Sequence, residues 1–555
     1  MDEKIETQLN LALETPETER GKSKDLEAGY NPITKEWELI VQYAGNLSEI
    51  NNYTSGSFIP LDDNYVIVYL QENQINDFAQ LDSVIYIEKP KNLLTQVTDG
   101  IGASCIDPLI YGSFGLSGRG VLLGVIDTGI DVFHPDFINQ DGTSKIAELW
   151  DQSGNERDGI IYTKEEINEA LATKNYDLIL ERDTSGHGTH VASICGGNRG
   201  VARKAEFITV KLSDAVNTGF PRTTQLMRAV KYVIDTAVYM KRPVCVNISY
   251  GNNYGDHRGN SLLEMFISKS AARWETSICI GTGNEGDTGR HRQGKLMQQE
   301  MIYFAIAPYE TSLNLQIWKN YEDDFDIYLT NPSGIQRKIE INQRAVVYQF
   351  QGTQVHVYYG MPTPYNVRQE IYFAFIPDEL YLESGQWTIF MEPKKIVTGE
   401  YEMWLPVSSG TNPQTRFLEP NANFTLTIPS TARNIIAVGA YNSFVNQYAS
   451  FSGRGDLEKC IVKPDLAAPG VDILGASPEG GYTKRSGTSM ATPFVTGSIA
   501  LMMEWGILKG NDPFLYGEKV KAYLRRGARQ LPGFTEYPNS VVGWGALCVR
   551  NSIPR

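Results

Sequence analysis

The sequence predicts an α/β protein built on a doubly wound parallel sheet, preceded by a small α+β unit and interrupted by an all-β insertion. Three observations predict it. The runs 120–126, 243–248 and 277–281 are dominantly apolar and of strand length, the pattern of strands buried on both faces of a parallel sheet. Each run ends in glycine or in a residue able to do chemistry, and functional side chains collect at such carboxyl ends. Between 298 and 427 the pattern changes to short alternating segments separated by turn signals such as Asn331-Pro332-Ser333-Gly334. A chain of 555 residues exceeds what one core supports. The expected division is 1–96, an N-terminal arm and α+β unit; 97–297, the first part of the core; 298–427, a β-sandwich of jelly-roll type; and 428–555, the rest of the core.

Composition narrows the function. At 41% hydrophobic and 21% charged, the chain has an ordinary globular make-up, and a net charge of −15 argues against a nucleic-acid partner. The opening Met1-Asp2-Glu3-Lys4 leads into polar sequence without an apolar signal region, so no signal peptide is expected. Nor does any uncharged apolar run approach the roughly 20 residues that span a bilayer, so no membrane partner is expected. Six cysteines are scattered without metal-type spacing and are expected as reduced, buried thiols.

In chain order, residues 1–28 are polar and charged and are expected to form a mobile arm or solvated helix. Strands follow at 37–43, 65–70 and 84–88, with a helix at 74–81. Asp127 closes the first apolar run, where a turn cap and a held carboxylate are both open readings. In Asp183-Thr184-Ser185-Gly186-His187-Gly188-Thr189-His190, His187 stands at a helix start and is the candidate general base. His190 is read as structural. The i, i+3 spacing of the two histidines lacks the Glu and third ligand of a helical zinc site, so no metal is expected. Asn284, flanked by Gly283 and Glu285-Gly286, is a turn former or an amide donor for an oxyanion. Ser489 opens an apolar helix through Trp505, at the positive end of the helix dipole; Pro493 is read as lying in its first turn.

Asp127, His187, Asn284 and Ser489 together supply a nucleophile, its base, a carboxylate to hold the base and an oxyanion donor. Val-Ile-Asp-Thr-Gly-Ile at 125–130, His-Gly-Thr-His-Val-Ala at 187–192, Gly-Asn-Glu-Gly at 283–286 and Gly-Thr-Ser-Met-Ala-Thr-Pro at 487–493 occur in this order. On these four motifs the chain resembles the subtilisin-like serine proteases (subtilases). The resemblance implies a catalytic triad of Asp127, His187 and Ser489 and an oxyanion hole of Asn284 with the Ser489 N–H. It also implies substrate contacts along Ser249, Tyr250, Gly251, Thr282 and Gly283. Tyr250 replaces a smaller aliphatic residue common in the family, so the S1 preference is not carried over. After His187 the family often has a longer calcium-binding loop. Asp136 is kept here but the loop at 196–202 is short, and neither calcium nor any other cofactor is expected.

A subtilase with a β-rich leader and a jelly roll inserted before its serine segment resembles the clostridial Csp germination proteases. That resemblance implies a propeptide that the enzyme cuts itself and that stays bound in the cleft, with Gln96 and Val97 flanking the candidate cut. It further implies a protein substrate such as a spore-cortex hydrolase zymogen and a cytoplasmic or spore-associated location. The alternatives are a general intracellular housekeeping subtilase and a propeptide-blocked, non-catalytic sensor or scaffold.

Overall fold

The computed structural model describes residues 4–20, 29–54, 58–61, 64–90, 99–153, 159–212, 221–340, 345–458 and 462–554. The chain divides into two compact units, Met1–Gln96 and Val97–Arg555. The candidate cut at Gln96 and Val97 lies outside the described residues.

The first unit is an antiparallel sheet centred on Glu36–Tyr43, which pairs with Tyr30–Asn31, Tyr65–Gln71 and Val84–Glu88. Alternation along this strand turns Trp37, Leu39, Val41 and Tyr43 inward. Of the stretch expected to be a mobile arm or solvated helix, the described residues 4–20 are helical in part but packed into this unit. Helix Thr7–Glu14 buries Leu9 and Ala12, and Ile5 bridges to Ile87. Ile5, Leu9 and Ala12 recur at helical spacing, enough for one apolar stripe that the surrounding charge concealed.

In the second unit seven parallel strands stand in the order Leu466–Pro469, Ile436–Asn442, Thr276–Gly281, Val244–Ile248, Leu122–Asp127, Glu206–Lys211, Ile146–Asp151. Ile160–Thr163 and Gln447–Tyr448 add short antiparallel strands. Alternate residues point to opposite faces. Leu123 and Val125 meet helices His187–Gly196 and Thr488–Met503, whereas Leu122 and Ile126 meet Thr223–Tyr239 and Leu262–Ala271. A buried Val or Leu of this kind contributes about 1.5–3 kcal/mol. The two-sided burial is why the strands read as continuous apolar runs.

Helix Thr488–Met503 and its continuation to Leu508 are by length and composition apolar enough to cross a membrane, although Glu504 interrupts the segment, so the uncharged run stays short of the expected limit. Of its most apolar 18 residues 83% are buried inside the protein, where the helix packs in the middle of the core. Pro493 differs from expectation. The helix begins at Thr488, so Pro493 sits inside it and not in the first turn. Its missing N–H leaves the carbonyl of Ser489 without the usual i+4 partner.

The insertion is two antiparallel sheets, of six and five strands, packed on a shared core. Its strands run from His291–Lys295 to Arg416–Phe417, which corrects the expected limits of 298 and 427. His291–Lys295 belongs to the sandwich because it pairs with Glu400–Trp404. Beyond Phe417 the chain returns to the core, where Thr427 N donates to Thr282 O at 3.0 Å. Phe304, Phe350, Phe375 and Trp387 pack against one another in the interior, so much of the aromatic content is core.

Cys105 and Cys548 form a disulfide, with Cα atoms 4.8 Å apart, which overturns the expectation of six free thiols. They are 443 residues apart in sequence, so spacing gave no signal; the fold joins them by pairing Val549 N with Ser104 O at 3.0 Å. Cys195, Cys245 and Cys279 are free and buried.

Candidate active site

Asp127 ends the central strand and is 1% exposed. Its Oδ1 lies 2.6 Å from His187 Nδ1 and also accepts the N–H of Thr128 at 2.8 Å. This bond assigns the His187 proton to Nδ1 and leaves Nε2 as the basic nitrogen. Burial lowers the pKa of His187, the charge and hydrogen bond of Asp127 more than restore it, and the Arg485 guanidinium pulls it back; the net result lies above the ordinary histidine value. Gly188 allows the approach of helix to strand, since a Cβ there would come within 2.1 Å of Gly129 O.

A second carboxylate, not assigned from the sequence, braces the pair. Asp183 Oδ1 accepts from Thr128 Oγ1 at 2.7 Å and Gly186 N at 2.9 Å. Its Oδ2 accepts from Thr189 N at 2.8 Å and Thr189 Oγ1 at 2.7 Å. Thr128 Oγ1 in turn accepts the N–H of Gly188 at 2.9 Å. The turn after Asp127 and the first turn of the His187 helix are therefore held to one carboxylate. Asp183 stands in the stretch quoted around His187, but only the fold reveals that Thr128 and Thr189 converge on it. It also lines a cleft of about 750 Å³ with Asp131, Phe133, Tyr176, Glu181 and Pro478. His190 is structural. Its Nε2 faces Ile473 O and Thr483 O, each at 3.1 Å, and burial lowers its pKa to about 4.

Ser489 occupies the first turn of its helix and is half-buried. This helix packs against the His187 helix, closely enough that a Cβ on Gly497 would lie 2.4 Å from Cys195 O. Asn284 is fixed by the residue before the serine: its Oδ1 accepts Thr488 N at 3.0 Å and Thr488 Oγ1 at 3.2 Å. With the acceptor committed, Nδ2 is the end left to donate. Gly283 N donates to Thr488 Oγ1 at 3.2 Å, so the same threonine carries both segments.

Ser249, Tyr250 and Gly251 follow strand Val244–Ile248 and meet Thr282 and Gly283 across Thr427, another residue the motifs did not indicate. A Cβ on Gly251 or Gly283 would approach Thr427 to 2.4 Å. Tyr250 is half-buried against the core, and Ser249 Oγ accepts from Asn247 Nδ2 at 3.0 Å. The sandwich grips what comes next: Asn253 Nδ2 donates to Leu405 O at 3.0 Å, and His257 stacks on Trp404 at 4.2 Å. Glu285, next to Asn284, accepts from Ser408 Oγ at 3.0 Å.

Asp136 has both oxygens engaged, by Ser193 Oγ at 2.6 Å and Tyr482 OH at 3.0 Å. Beside it the buried ammonium of Lys145 donates to Gly196 O and, at 2.8 Å, to Arg203 O, with Asn198 Oδ1 at 3.5 Å. Burial lowers the Lys145 pKa to about 8. A fixed cation of the protein thus takes the loop's oxygens. Among the described residues no group of three or more His, Cys, Asp or Glu is arranged to hold a metal ion.

A buried carboxylate bonded to an imidazole, a serine at a helix start and an amide held with its donor end free are the parts that serine-based acyl transfer requires. Comparison with known proteins agrees. Residues 118–308 and 388–545 match the Subtilase family, and residues 3–91 match the Csp protease B prodomain. The chain belongs to the Subtilase family. It is similar to the structure of the Clostridium perfringens CspB protease, with 36% identity and a TM-score of 0.77 over 82% of this chain and 97% of that one. Among curated proteins it resembles the subtilisin-like protease SBT3.4 of Arabidopsis thaliana, 25% identical over 78% of this chain and 62% of that one. It also resembles the minor extracellular protease Vpr of Bacillus subtilis, 23% identical over 79% of this chain and 52% of that one. The chain therefore spans between half and two thirds of the length of these two curated relatives.

Proposed function

We propose that the protein is a serine endopeptidase that removes its own prodomain and then cleaves a protein substrate at few sites. The observation that carries this reading is the 2.6 Å Asp127–His187 bond, set beside an Asn284 whose acceptor is tied to Thr488. In the proposed mechanism Ser489 Oγ attacks the scissile carbonyl as His187 Nε2 takes its proton, and Asp127 holds and stabilises the imidazolium. Asn284 Nδ2 and the Ser489 N–H donate to the oxyanion. His187 then gives the proton to the departing amine, leaving an acyl-enzyme on Ser489. Water deprotonated by the same histidine hydrolyses the ester and restores the serine.

The cut proposed for the prodomain is Gln96–Val97, and the proposal keeps the cleaved prodomain bound. The prodomain match and the similarity to the CspB protease support a protease with a Csp-type prodomain; the resemblance to the germination proteases adds, as part of the proposal, a cortex-hydrolase zymogen as substrate and a location in the cytoplasm or the spore. The test is the intact mass of the purified chain beside Ser489→Ala. Two fragments divided at 96/97 for the wild type and one whole chain for the variant support the reading. Both chains remaining whole, or both cut alike, would remove self-processing.

A further inference from the structure

We infer that Arg485 is a specificity residue on the leaving-group side of the cleft, selecting substrates that carry Asp or Glu within the first three residues after the scissile bond. The inference rests on the peptidase reading above. Arg485 ends the strand Gly481–Arg485 and precedes Ser489 by only three intervening residues, Ser486, Gly487 and Thr488. Its Nη2 donates to Ser185 O at 2.7 Å, so the guanidinium bridges the segment approaching the nucleophile and the segment approaching His187. The side chain is half-buried, and its charge is felt at both His187 and His190.

Direction follows from the chemistry. The departing amine takes its proton from His187, so the released peptide must run past that ring, whereas the acyl part extends over Ser249–Gly251. A cation anchored beside His187 therefore faces the departing peptide. The nearby carboxylates do not pair with it. Asp127 is committed to His187, Asp183 has four donors, and among the described residues Arg485 has no carboxylate partner. Its remaining N–H groups form a fork suited to one carboxylate. The chain's own proposed junction fits: after Gln96 come Val97, Thr98 and Asp99, placing an acid third beyond the bond.

The test uses the full chain and three internally quenched peptides of residues 91–102: the native sequence with Asp99, an Asp99→Asn peptide and an Asp99→Lys peptide. Wild type is expected to cleave the native peptide about tenfold faster in kcat/KM than the Asp99→Lys peptide, the worth of one charge-assisted hydrogen bond. Arg485→Gln brings that ratio near one, and Arg485→Glu inverts it. Each ratio is internal to one variant, so a general loss of rate or of folded protein cancels. Raised salt should compress the wild-type ratio. Cleavage of the Asp99→Asn peptide with equal rates for the native and Asp99→Lys peptides, or an Arg485→Glu ratio like that of wild type, overturns the inference and leaves the peptidase reading standing. Failure of wild type to cleave any of the three overturns both.

Discussion

Asp183→Asn tests how the site is held. The carboxylate receives four hydrogen bonds, two from hydroxyls and two from backbone N–H groups, one N–H on each oxygen. An asparagine keeps the shape but turns one oxygen into NH₂. Whichever way the amide faces, one backbone N–H, of Gly186 or Thr189, meets a donor. The hydroxyl beside it can rotate, but the N–H cannot. An unsatisfied buried donor costs about 1–3 kcal/mol, and loss of charge assistance on the surviving bonds adds about 1 kcal/mol. The expected destabilisation is therefore about 2–4 kcal/mol in urea unfolding. Because Thr128 and Thr189 tie Asp127 and His187 to this carboxylate, kcat should fall about 10- to 100-fold with KM little changed. A further readout separates charge from structure. Asp183 helps to raise the His187 pKa, and removing that charge lowers it. The neutral base then persists to lower pH, so the acid limb of kcat/KM moves down. Wild-type stability and rate in Asp183→Asn, or an unmoved acid limb, would refute the reasoning.

Asn284→Ala should lower kcat by about 100- to 1000-fold with little change in KM, measured on a peptide ester or amide, because the lost donor acts on charge that appears only in the transition state. In wild type, the acid limb of kcat/KM should lie above the ordinary histidine value of about 6.5, since His187 is held above it and must be neutral to accept the serine proton. Arg485→Gln should move that limb further up, the opposite of Asp183→Asn; a pH profile on each variant decides. Lys145→Met should cost about 2–4 kcal/mol by stranding the carbonyls of Gly196 and Arg203. A chelator should leave the Tm of wild type unchanged, and a marked drop would contradict the assignment of Lys145 as the loop's cation.

Much of the fold was legible because two-sided burial writes itself as apolar runs, and Leu122–Asp127, Val244–Ile248 and Thr276–Gly281 lie where those runs predict. The sandwich was legible through alternation, but its edges were not: His291–Lys295 is a strand only by virtue of Glu400–Trp404, far along the chain. The N-terminal helix was expected as solvated, and its docking was missed because the three apolar residues that dock it are too few to stand out. The Cys105–Cys548 bond was invisible for the same reason of sequence distance. Within the site, residues with a chemical signature could be named in advance, and Asp127 and His187 do meet. The supports Thr128, Asp183 and Thr427 have no signature of their own. Their importance comes from convergence, which local pattern does not encode. Lys145 reads as an ordinary surface charge until the carbonyls around it are seen.

The central claim is that Ser489 is an activated nucleophile, and a fluorophosphonate probe followed by peptide mapping tests it most directly. Covalent labelling is expected in wild type at Ser489, none in Ser489→Ala, and a rate of labelling that falls steeply in His187→Ala. Labelling at another serine, or wild type as inert as Ser489→Ala, would contradict it.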